Sequence, residues 1–213
     1  MDLSCAQVSG SRALFEFLGS PSCALEELHL LNSRLNDDVT VSVAYSLLNN
    51  RSLKTSDLSA CPITMAGWRA FSLVLLDPDS ALENLYLSSC EINDEAVTSI
   101  ANALVNNNVL RGLKLCNNSQ ITTAGWKTFF SVLGNPNSAL KKLDVSCNAI
   151  DGDAMMALID SLADNESLIE LQGPVRCVEH SVHVPLQPHA SGSLSGERGN
   201  FIPGRRSIVF GTE

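Results

Sequence analysis

The chain has 213 residues, of which 45% are hydrophobic and only 5% aromatic, and its formal net charge is −9. Binding to phosphate groups requires clustered Lys and Arg, so this charge argues against a nucleic-acid partner. No apolar run reaches the length of a transmembrane helix, so we expect no membrane partner either. An aliphatic composition of this kind suits a core built from stacked layers.

The seven cysteines are odd in number, form no Cys-x-x-Cys pair and match no zinc or haem spacing. They are Cys5, Cys23, Cys61, Cys90, Cys116, Cys147 and Cys177. We interpret them as reduced thiols, which predicts a cytoplasmic protein, with a nuclear location also compatible. The N-terminus lacks the basic and apolar regions of a signal peptide. No metal and no cofactor is expected.

Residues 1–24 form the first predicted segment. Residues 10–25 match the stretches that precede later repeats, and they include a predicted helix around Arg12 to Leu18. We therefore predict that residues 1–24 are the helical half of a repeat whose strand is missing. An end unit of a repeat protein otherwise exposes its core, so this segment is expected to act as an N-terminal cap.

Residues 25–171 contain five repeats and the start of a sixth. The repeats align to the pattern Leu-x-x-Leu-x-Leu-x-x-(Cys/Asn)-x-Ile, with some substitutions, and the fourth has one extra residue before Ile121. Their first leucines lie 28, 29, 28, 30 and 28 residues apart. These leucines are Leu25, Leu53, Leu82, Leu110, Leu140 and Leu168. The Leu-x-Leu step has a period of two, which predicts a short strand in each repeat.

The second half of each repeat has helical spacing. Apolar residues share one predicted helix face at Ala96, Val97, Ile100, Ala101 and Leu104, and again at Ala154, Met155, Leu158, Ile159 and Leu162. A residue whose side chain can cap a helix N-terminus precedes each predicted helix. These residues are Asn36, Thr64, Asn93, Thr122 and Asp151. Acidic residues follow several of them, where the helix dipole favours negative charge.

A longer period is superimposed on the first. Trp68 and Trp126 lie 58 residues apart in near-identical segments, and each follows a glycine, Gly67 or Gly125. We predict that both tryptophans pack against the next repeat and that the glycines allow close approach of the neighbouring helix. Two repeat types therefore alternate. This alternation resembles the ribonuclease-inhibitor-like leucine-rich-repeat family, and the resemblance covers roughly residues 8 to 171.

The resemblance implies an α/β fold, a leucine-rich-repeat solenoid in the shape of a horseshoe arc. Its parallel sheet would lie on the concave face and its helices on the convex face. Helices are wider than strands, roughly 10 Å against 4.8 Å, so a stack of such units must bend with the sheet inside.

The strand positions between the core leucines are expected to face the concave surface. The first two columns supply the predicted partner contacts, which are Glu27, Asn84 and Lys142 in the first and His29, Asp57, Tyr86, Lys114 and Asp144 in the second. Tyr86 and His29 are the strongest single candidates, because an aromatic side chain offers contact area at little entropic cost. A third column contains Leu31 and Ser59, and a fourth contains Asn32 and Ala60. Most of the acidic excess is predicted to lie at helix caps and turns, away from this surface.

Residues 172–213 lose the repeat pattern and are rich in Pro, Gly, Ser and His. We predict that they are disordered, or a non-native continuation produced by truncation or mis-splicing. Folding back of residues 207–210 as an edge strand is the alternative. The tail histidines His180, His183 and His189 lack a fixed set of further ligands, so we predict no metal site there.

No nucleotide-binding, zinc-protease or hydrolase motif occurs, and no fixed His base accompanies a cysteine. Families of the resembled type supply concave surfaces for binding, so the resemblance implies a protein-interaction module, not an enzyme. The protein partner and the oligomeric state are left open. Two alternatives remain. One is a GTPase-activating regulator of a small GTPase, because Ran GTPase-activating proteins have similar repeats. The other is a fragment of a larger ligand-sensing receptor.

Overall fold

The architecture is known from a computed structural model, which describes residues 1–5, 12–33, 35, 37–135, 138–163, 165–173, 181–185 and 207–211. Helices and strands alternate along the chain up to Gln172. The helices are α1 (Arg12–Leu18), α2 (Asp37–Leu48), α3 (Met65–Leu76), α4 (Asp94–Leu104), α5 (Thr123–Leu133) and α6 (Gly152–Ala163). The strands are β1 (Glu27–His29), β2 (Thr55–Asp57), β3 (Asn84–Tyr86), β4 (Gly112–Lys114), β5 (Lys142–Asp144), β6 (Glu170–Gln172), β7 (Ser181–Pro185) and β8 (Ser207–Gly211).

Strands β1 to β6 form a parallel sheet in chain order, and each pairs with the next without a register slip. Leu28 thus stands beside Ser56, and Leu113 stands beside Leu143. The middle residue of each strand is buried, whereas most flanking residues are at least partly exposed. The predicted α/β solenoid is confirmed, with the sheet on the concave face and the helices on the convex face.

Buried polar side chains connect successive turns of the stack. The Asn118 amide donates to the carbonyl oxygens of Leu87 and Leu115 at 2.9 and 3.0 Å, and its oxygen accepts the backbone N–H groups of Cys90 and Ile92 at 3.0 and 3.2 Å. The Cys90 thiol occupies the equivalent position one repeat earlier, where it donates to a carbonyl oxygen at 3.2 Å. The Cys/Asn position of the repeat therefore satisfies backbone groups that no strand ladder reaches.

The two repeat types differ in how their helices end. Asn50, Asn107 and Asn165 are buried, and each donates its amide to a carbonyl oxygen of the preceding repeat's helix. Each also accepts the backbone N–H groups two and three residues ahead. In the alternate repeats Ser80 and Ser138 accept only the N–H group two residues ahead. The predicted alternation thus has a structural counterpart at every second turn.

Trp68 and Trp126 are buried, as the repeat pattern predicts. Trp126 stacks on Phe130 with ring centroids 5.3 Å apart. A Cβ atom at Gly67 would lie 2.6 Å from the Thr40 side chain on the neighbouring helix, too close for any real contact. The prediction that this glycine allows close helix approach is confirmed.

The N-terminal segment differs from the prediction in one respect. Helix α1 lies over the predicted residues and packs on α2. However, Asp2 forms an isolated β-bridge with His29, in which the Leu3 N–H group donates to the His29 carbonyl oxygen at 2.8 Å and the His29 N–H group donates to the Met1 carbonyl oxygen at 2.9 Å. The described residues before α1 therefore contact the outer edge of β1, although they are not assigned as a strand of the sheet. The periodicity gave no signal here, because these few residues contain only one leucine.

At the other end, helix α6 is less covered than α4. All five apolar residues of the predicted α4 face are buried, whereas on the α6 face only Ala154 and Leu158 are fully buried. Ile159, on the same predicted face of α6, is 50% exposed. Among the described residues, α6 has a helix neighbour on one side only, namely α5.

Part of the tail continues the sheet. Strand β8 pairs in parallel with β6, and β7 pairs antiparallel with β8. The structure thus places a strand at residues 207–210, although β8 is not the outermost strand, because β7 follows it. Most of residues 172–213 lies outside the described residues, so the prediction of a disordered or non-native tail stays a prediction.

Candidate binding surface on the concave sheet

The predicted contact residues form two columns across the strands. Glu27, Thr55, Asn84, Gly112 and Lys142 are partners in register and make up the first column. His29, Asp57, Tyr86, Lys114 and Asp144 make up the second. We call these two columns the concave surface. Strand β6 adds Glu170 and Gln172, which the sequence prediction did not include because the pattern breaks off there.

Tyr86 lies at the centre of the concave surface and is partly exposed. The Lys114 ammonium group is 5.1 Å from the centroid of the Tyr86 ring, on the neighbouring strand. A cation at this distance is attracted by the negative face of the ring. The pair holds an aromatic surface and a positive charge side by side, which suits contact with a polar or acidic group.

Neighbouring polar side chains on the concave surface also contact each other. His29 Nε2 lies 3.4 Å from Glu27 Oε2 on the same strand. The Asn84 amide donates to the Thr55 hydroxyl oxygen at 3.4 Å. A Cβ atom at Gly112 would come within 2.5 Å of the Asn84 side-chain oxygen, so the Asn84 amide group covers the glycine. These contacts restrict the rotamers that a partner would otherwise have to order.

Two of the predicted contact residues also have a structural role. Asp57 Oδ1 accepts the backbone N–H of Ser59 at 2.9 Å, and Asp144 Oδ1 accepts that of Ser146 at 3.0 Å. These carboxylates therefore stabilise the turns that follow their strands. Lys142 is paired with Glu170 at 3.1 Å. Of the charged residues predicted for the second column, Lys114 alone has no hydrogen bond or ion pair from its side chain within the described part of the chain.

The third and fourth predicted columns do not lie in the strands. They form a turn after each strand, and the fourth-column residues adopt the left-handed conformation. Their φ angles are 54° at Asn32, 55° at Ala60, 57° at Ser89 and 56° at both Asn117 and Cys147. Ser59 of the third column is buried. These positions thus form the rim of the sheet, and we exclude them from the concave surface.

The acidic residues lie mainly outside the concave surface, as predicted, and several have an inter-repeat partner. Arg51 pairs with Asp77 at 2.7 Å, Arg69 with Glu95 at 3.0 Å and Lys127 with Asp153 at 3.4 Å. Each pair joins one repeat to the next. The acidic residues therefore contribute more to ion pairs between repeats than to the concave surface.

The helix caps account for further acidic and polar residues. Asn93, Thr122 and Asp151 accept a backbone N–H group of the first helical turn, as predicted. Thr64 occupies the cap position without a side-chain hydrogen bond, and Asn36 lies outside the described residues. The Thr123 hydroxyl donates to Asp151, and this bond lowers the pKa of the Asp151 carboxyl below its usual 3.8.

A row of charges that the sequence analysis did not single out lies one residue before the first column. It runs Glu26, Lys54, Glu83, Arg111 and Lys141, and backbone hydrogen bonds of 2.7 to 2.9 Å join its successive members. Lys54 Nζ donates to Glu26 at 2.9 Å, and this bond raises the pKa of Lys54 above its usual 10.5. The same repeat period could have revealed this charge row, because its members recur with the first column.

The cysteines are mostly as predicted. Cys5, Cys23, Cys61, Cys90 and Cys116 are free thiols. Burial raises the pKa of Cys61 to about 11 and that of Cys90 to about 12, so neither is suited to act as a nucleophile. Cys147, however, is disulfide-bonded, so the prediction of seven reduced thiols is wrong at that residue. The cytoplasmic location that we inferred from reduced thiols stays a prediction.

The described residues contain no group of three or more His, Cys, Asp or Glu side chains that could hold a metal ion. His180 and His189 lie outside the described part of the chain, and His183 is placed only as part of β7. Across the same residues, no helix is long and apolar enough to cross a membrane.

Comparison with known proteins gives consistent similarities. The family model "Leucine Rich repeat" matches residues 81–101 and 137–158. "NACHT, LRR and PYD domains-containing protein 14" of Mus musculus is 28% identical over 171 residues, which is 80% of this chain and 17% of that protein. The ribonuclease inhibitor of Sus scrofa is 31% identical over 134 residues, 63% of this chain and 29% of that protein. The chain thus spans less than a third of the length of these relatives.

A solved structure shows a weaker likeness. "Leiomodin-1 Actin-Binding Site 2 (ABS2)" has a TM-score of 0.47 and 19% identity, covering 76% of this chain and 78% of that chain. No argument about function follows from it.

Proposed function

Because the chain is a leucine-rich-repeat protein of the ribonuclease-inhibitor-like type, we propose that it binds a protein partner on its concave surface. The contacts would come from Glu27, His29, Asp57, Asn84, Tyr86, Lys114, Lys142 and Asp144. The role is binding without catalysis. The relatives agree with this, since the ribonuclease inhibitors are named for acting on another protein and matches to repeat proteins give no indication of catalysis.

The observation that carries the proposal is the pairing of Tyr86 with Lys114 at the centre of an ordered sheet. Aromatic and charged side chains near the middle of an interface supply much of its binding energy. Both residues lie on strands whose backbone is fixed by pairing on each side, so little order has to be gained when a partner binds.

A second candidate is supported by the relatives named for NACHT, LRR and PYD domains. Several of them match over about four fifths of this chain but only 17 to 18% of their own length. The repeats would then act as the ligand-sensing part of a larger receptor. Sequencing of the full transcript tests this, because a reading frame that also encodes a NACHT domain would support the receptor and its absence would contradict it.

The concave surface can be tested with a photo-reactive amino acid. Benzoylphenylalanine would replace Asn84 on the concave surface or, as a matched control, the exposed Asn102 on helix α4. Irradiation in native cell extract, followed by mass spectrometry, should give one defined protein adduct from position 84 and not from position 102. The same adduct from both positions, or from position 102 alone, would contradict the proposed surface.

A further inference from the structure

We propose that the partner presents an acidic segment, and that its carboxylates bind Arg111, Lys114 and Lys141 at the β4–β5 part of the sheet. We call these three residues the cationic group. The inference rests on the proposed function, since it specifies the chemistry of a partner on the same face.

Positive charge is scarce in this protein, and most of the Lys and Arg side chains that the structure describes are already paired. Wherever the structure describes the side chain of a Lys or Arg, that side chain either contacts a carboxylate or belongs to the cationic group. The paired residues are Arg51, Lys54, Arg69, Lys127 and Lys142. All five of these ion pairs join adjacent repeats, so each cation is partly neutralised by the stack itself.

Within the described residues, the three members of the cationic group form no ion pair. The Arg111 guanidinium donates to the Ala139 carbonyl oxygen at 3.2 Å, which orients the side chain without pairing it with a carboxylate. Lys114 faces the Tyr86 ring. Arg111 and Lys114 are exposed, and Lys141 is partly exposed. Among the described residues, the unpaired cations are therefore not scattered: Lys114 lies in β4, and Arg111 and Lys141 immediately precede β4 and β5.

The charge row explains why the electrostatic environment of the cationic group differs from that of the rest of the sheet. Along Glu26, Lys54, Glu83 and Arg111 the sign alternates, so each charge stands beside an opposite one. Lys141 breaks the alternation. Its N–H group donates to the Arg111 carbonyl oxygen at 2.8 Å, and adjacent strands lie roughly 4.8 Å apart. Like charges at this separation destabilise a sheet, and a bound carboxylate would remove that repulsion.

The surroundings favour separate carboxylates over a phosphate backbone. Glu83, which immediately precedes β3, and Glu170 in β6 flank the cationic group, and the chain as a whole carries a net charge of −9. A long uniform polyanion would meet these acids and be repelled, whereas one or two acidic side chains fit between them. Tyr86 offers an aromatic surface next to Lys114 for the apolar part of the same segment.

Fluorescence anisotropy of a labelled decapeptide of alternating Glu and Ser tests the proposal at low salt. The variant K114Q/K141Q should weaken binding at least tenfold, and K114R/K141R should restore it. The matched control R69Q/K127Q removes the same two positive charges from exposed positions on the helices, and it should change binding less than twofold. Circular dichroism melting curves check that each variant folds.

Three results would overturn the acidic-segment proposal. They are absence of peptide binding to the wild type at low salt, an equal loss of affinity in K114Q/K141Q and in the control R69Q/K127Q, and binding of a ten-residue oligothymidylate as tight as that of the peptide. The last result would assign the cationic group to phosphate. A concave adduct at position 84 combined with any of these outcomes leaves the proposed function intact and rejects only the acidic segment. An adduct from position 102 alone rejects both.

Discussion

Replacement of Asn118 by Ala should be among the most damaging single changes in the repeats. Asn118 is 1% exposed. Its side-chain oxygen accepts the N–H groups of Cys90 and Ile92, and its amide donates to the carbonyl oxygens of Leu87 and Leu115. Each buried polar group left without a partner costs about 1–3 kcal/mol. Because two N–H groups lose their acceptor, we expect a loss of roughly 3–5 kcal/mol in the free energy of unfolding.

Asn118→Cys is the matched control. Cys61 and Cys90 occupy the same repeat position, and their thiols donate to the carbonyl oxygens of Leu30 and Leu58. A thiol at position 118 can keep one donor bond but replaces the amide oxygen poorly as an acceptor. Asn118→Cys should therefore lower the free energy of unfolding by about 1–2 kcal/mol, which is less than the loss expected for Asn118→Ala.

Urea unfolding measures the global effect, and hydrogen exchange of the Cys90 and Ile92 amides measures the local one. Repeat proteins can unfold in parts, so the local measurement is the sharper test. We expect Asn118→Ala to reduce protection of these two amides more than that of the Leu30 amide, which bonds to the Asp57 carbonyl oxygen. Unchanged protection of Cys90 and Ile92 would refute the hydrogen-bonding role of Asn118.

Three further outcomes follow from the same contacts. Gly125→Ala should lower the free energy of unfolding by about 1–3 kcal/mol in chemical denaturation, because a Cβ atom there would collide with the Asp94 carboxylate. An unchanged denaturation midpoint would argue against close helix packing. The pKa of Asp151 is lowered by its threonine hydrogen bond, so its contribution to stability is present above the ordinary 3.8 and is lost as the pH falls through the folded value. Asp151→Asn should therefore flatten the acid limb of a stability–pH curve, and an unaltered slope would count against that bond. Iodoacetamide at about pH 8 should alkylate the exposed Cys5 but not Cys90, because burial raises the pKa of the Cys90 thiol to about 12. Equal labelling of the two cysteines, measured by mass spectrometry, would show that the core opens readily.

The leucine period could predict the fold because it acts at every turn of the stack. One residue of slip would move Leu85 or Leu113 from the core to the surface, so the register of β3 and β4 follows from the sequence. The tryptophan–glycine pairs were equally predictable, since they recur with the repeat. The period carries no information where the pattern ends, which is why the pairing of Leu3 with His29 and the exposure of Ile159 were not foreseen.

The candidate surface was predictable only in part. Strand alternation gave the positions of Tyr86 and Lys114, but not that the ammonium group faces the ring, since this depends on the rotamers of both side chains. The turn at the fourth column was missed because Ala60 does not resemble a left-handed residue, although Asn32 and Asn117 do. The disulfide at Cys147 was missed because an odd cysteine count does not reveal pairing.

The central claim is that the partner binds the concave surface around Tyr86, and the chain provides its own control because it contains only two tyrosines. Tyr45 is 53% exposed on helix α2, on the convex face. Once the partner is identified through the adduct at position 84, isothermal titration calorimetry should measure its dissociation constant for Tyr86→Ala and Tyr45→Ala. We predict weakening of at least about tenfold for Tyr86→Ala and none for Tyr45→Ala. Unchanged affinity in Tyr86→Ala, or a larger loss in Tyr45→Ala, would contradict the claim.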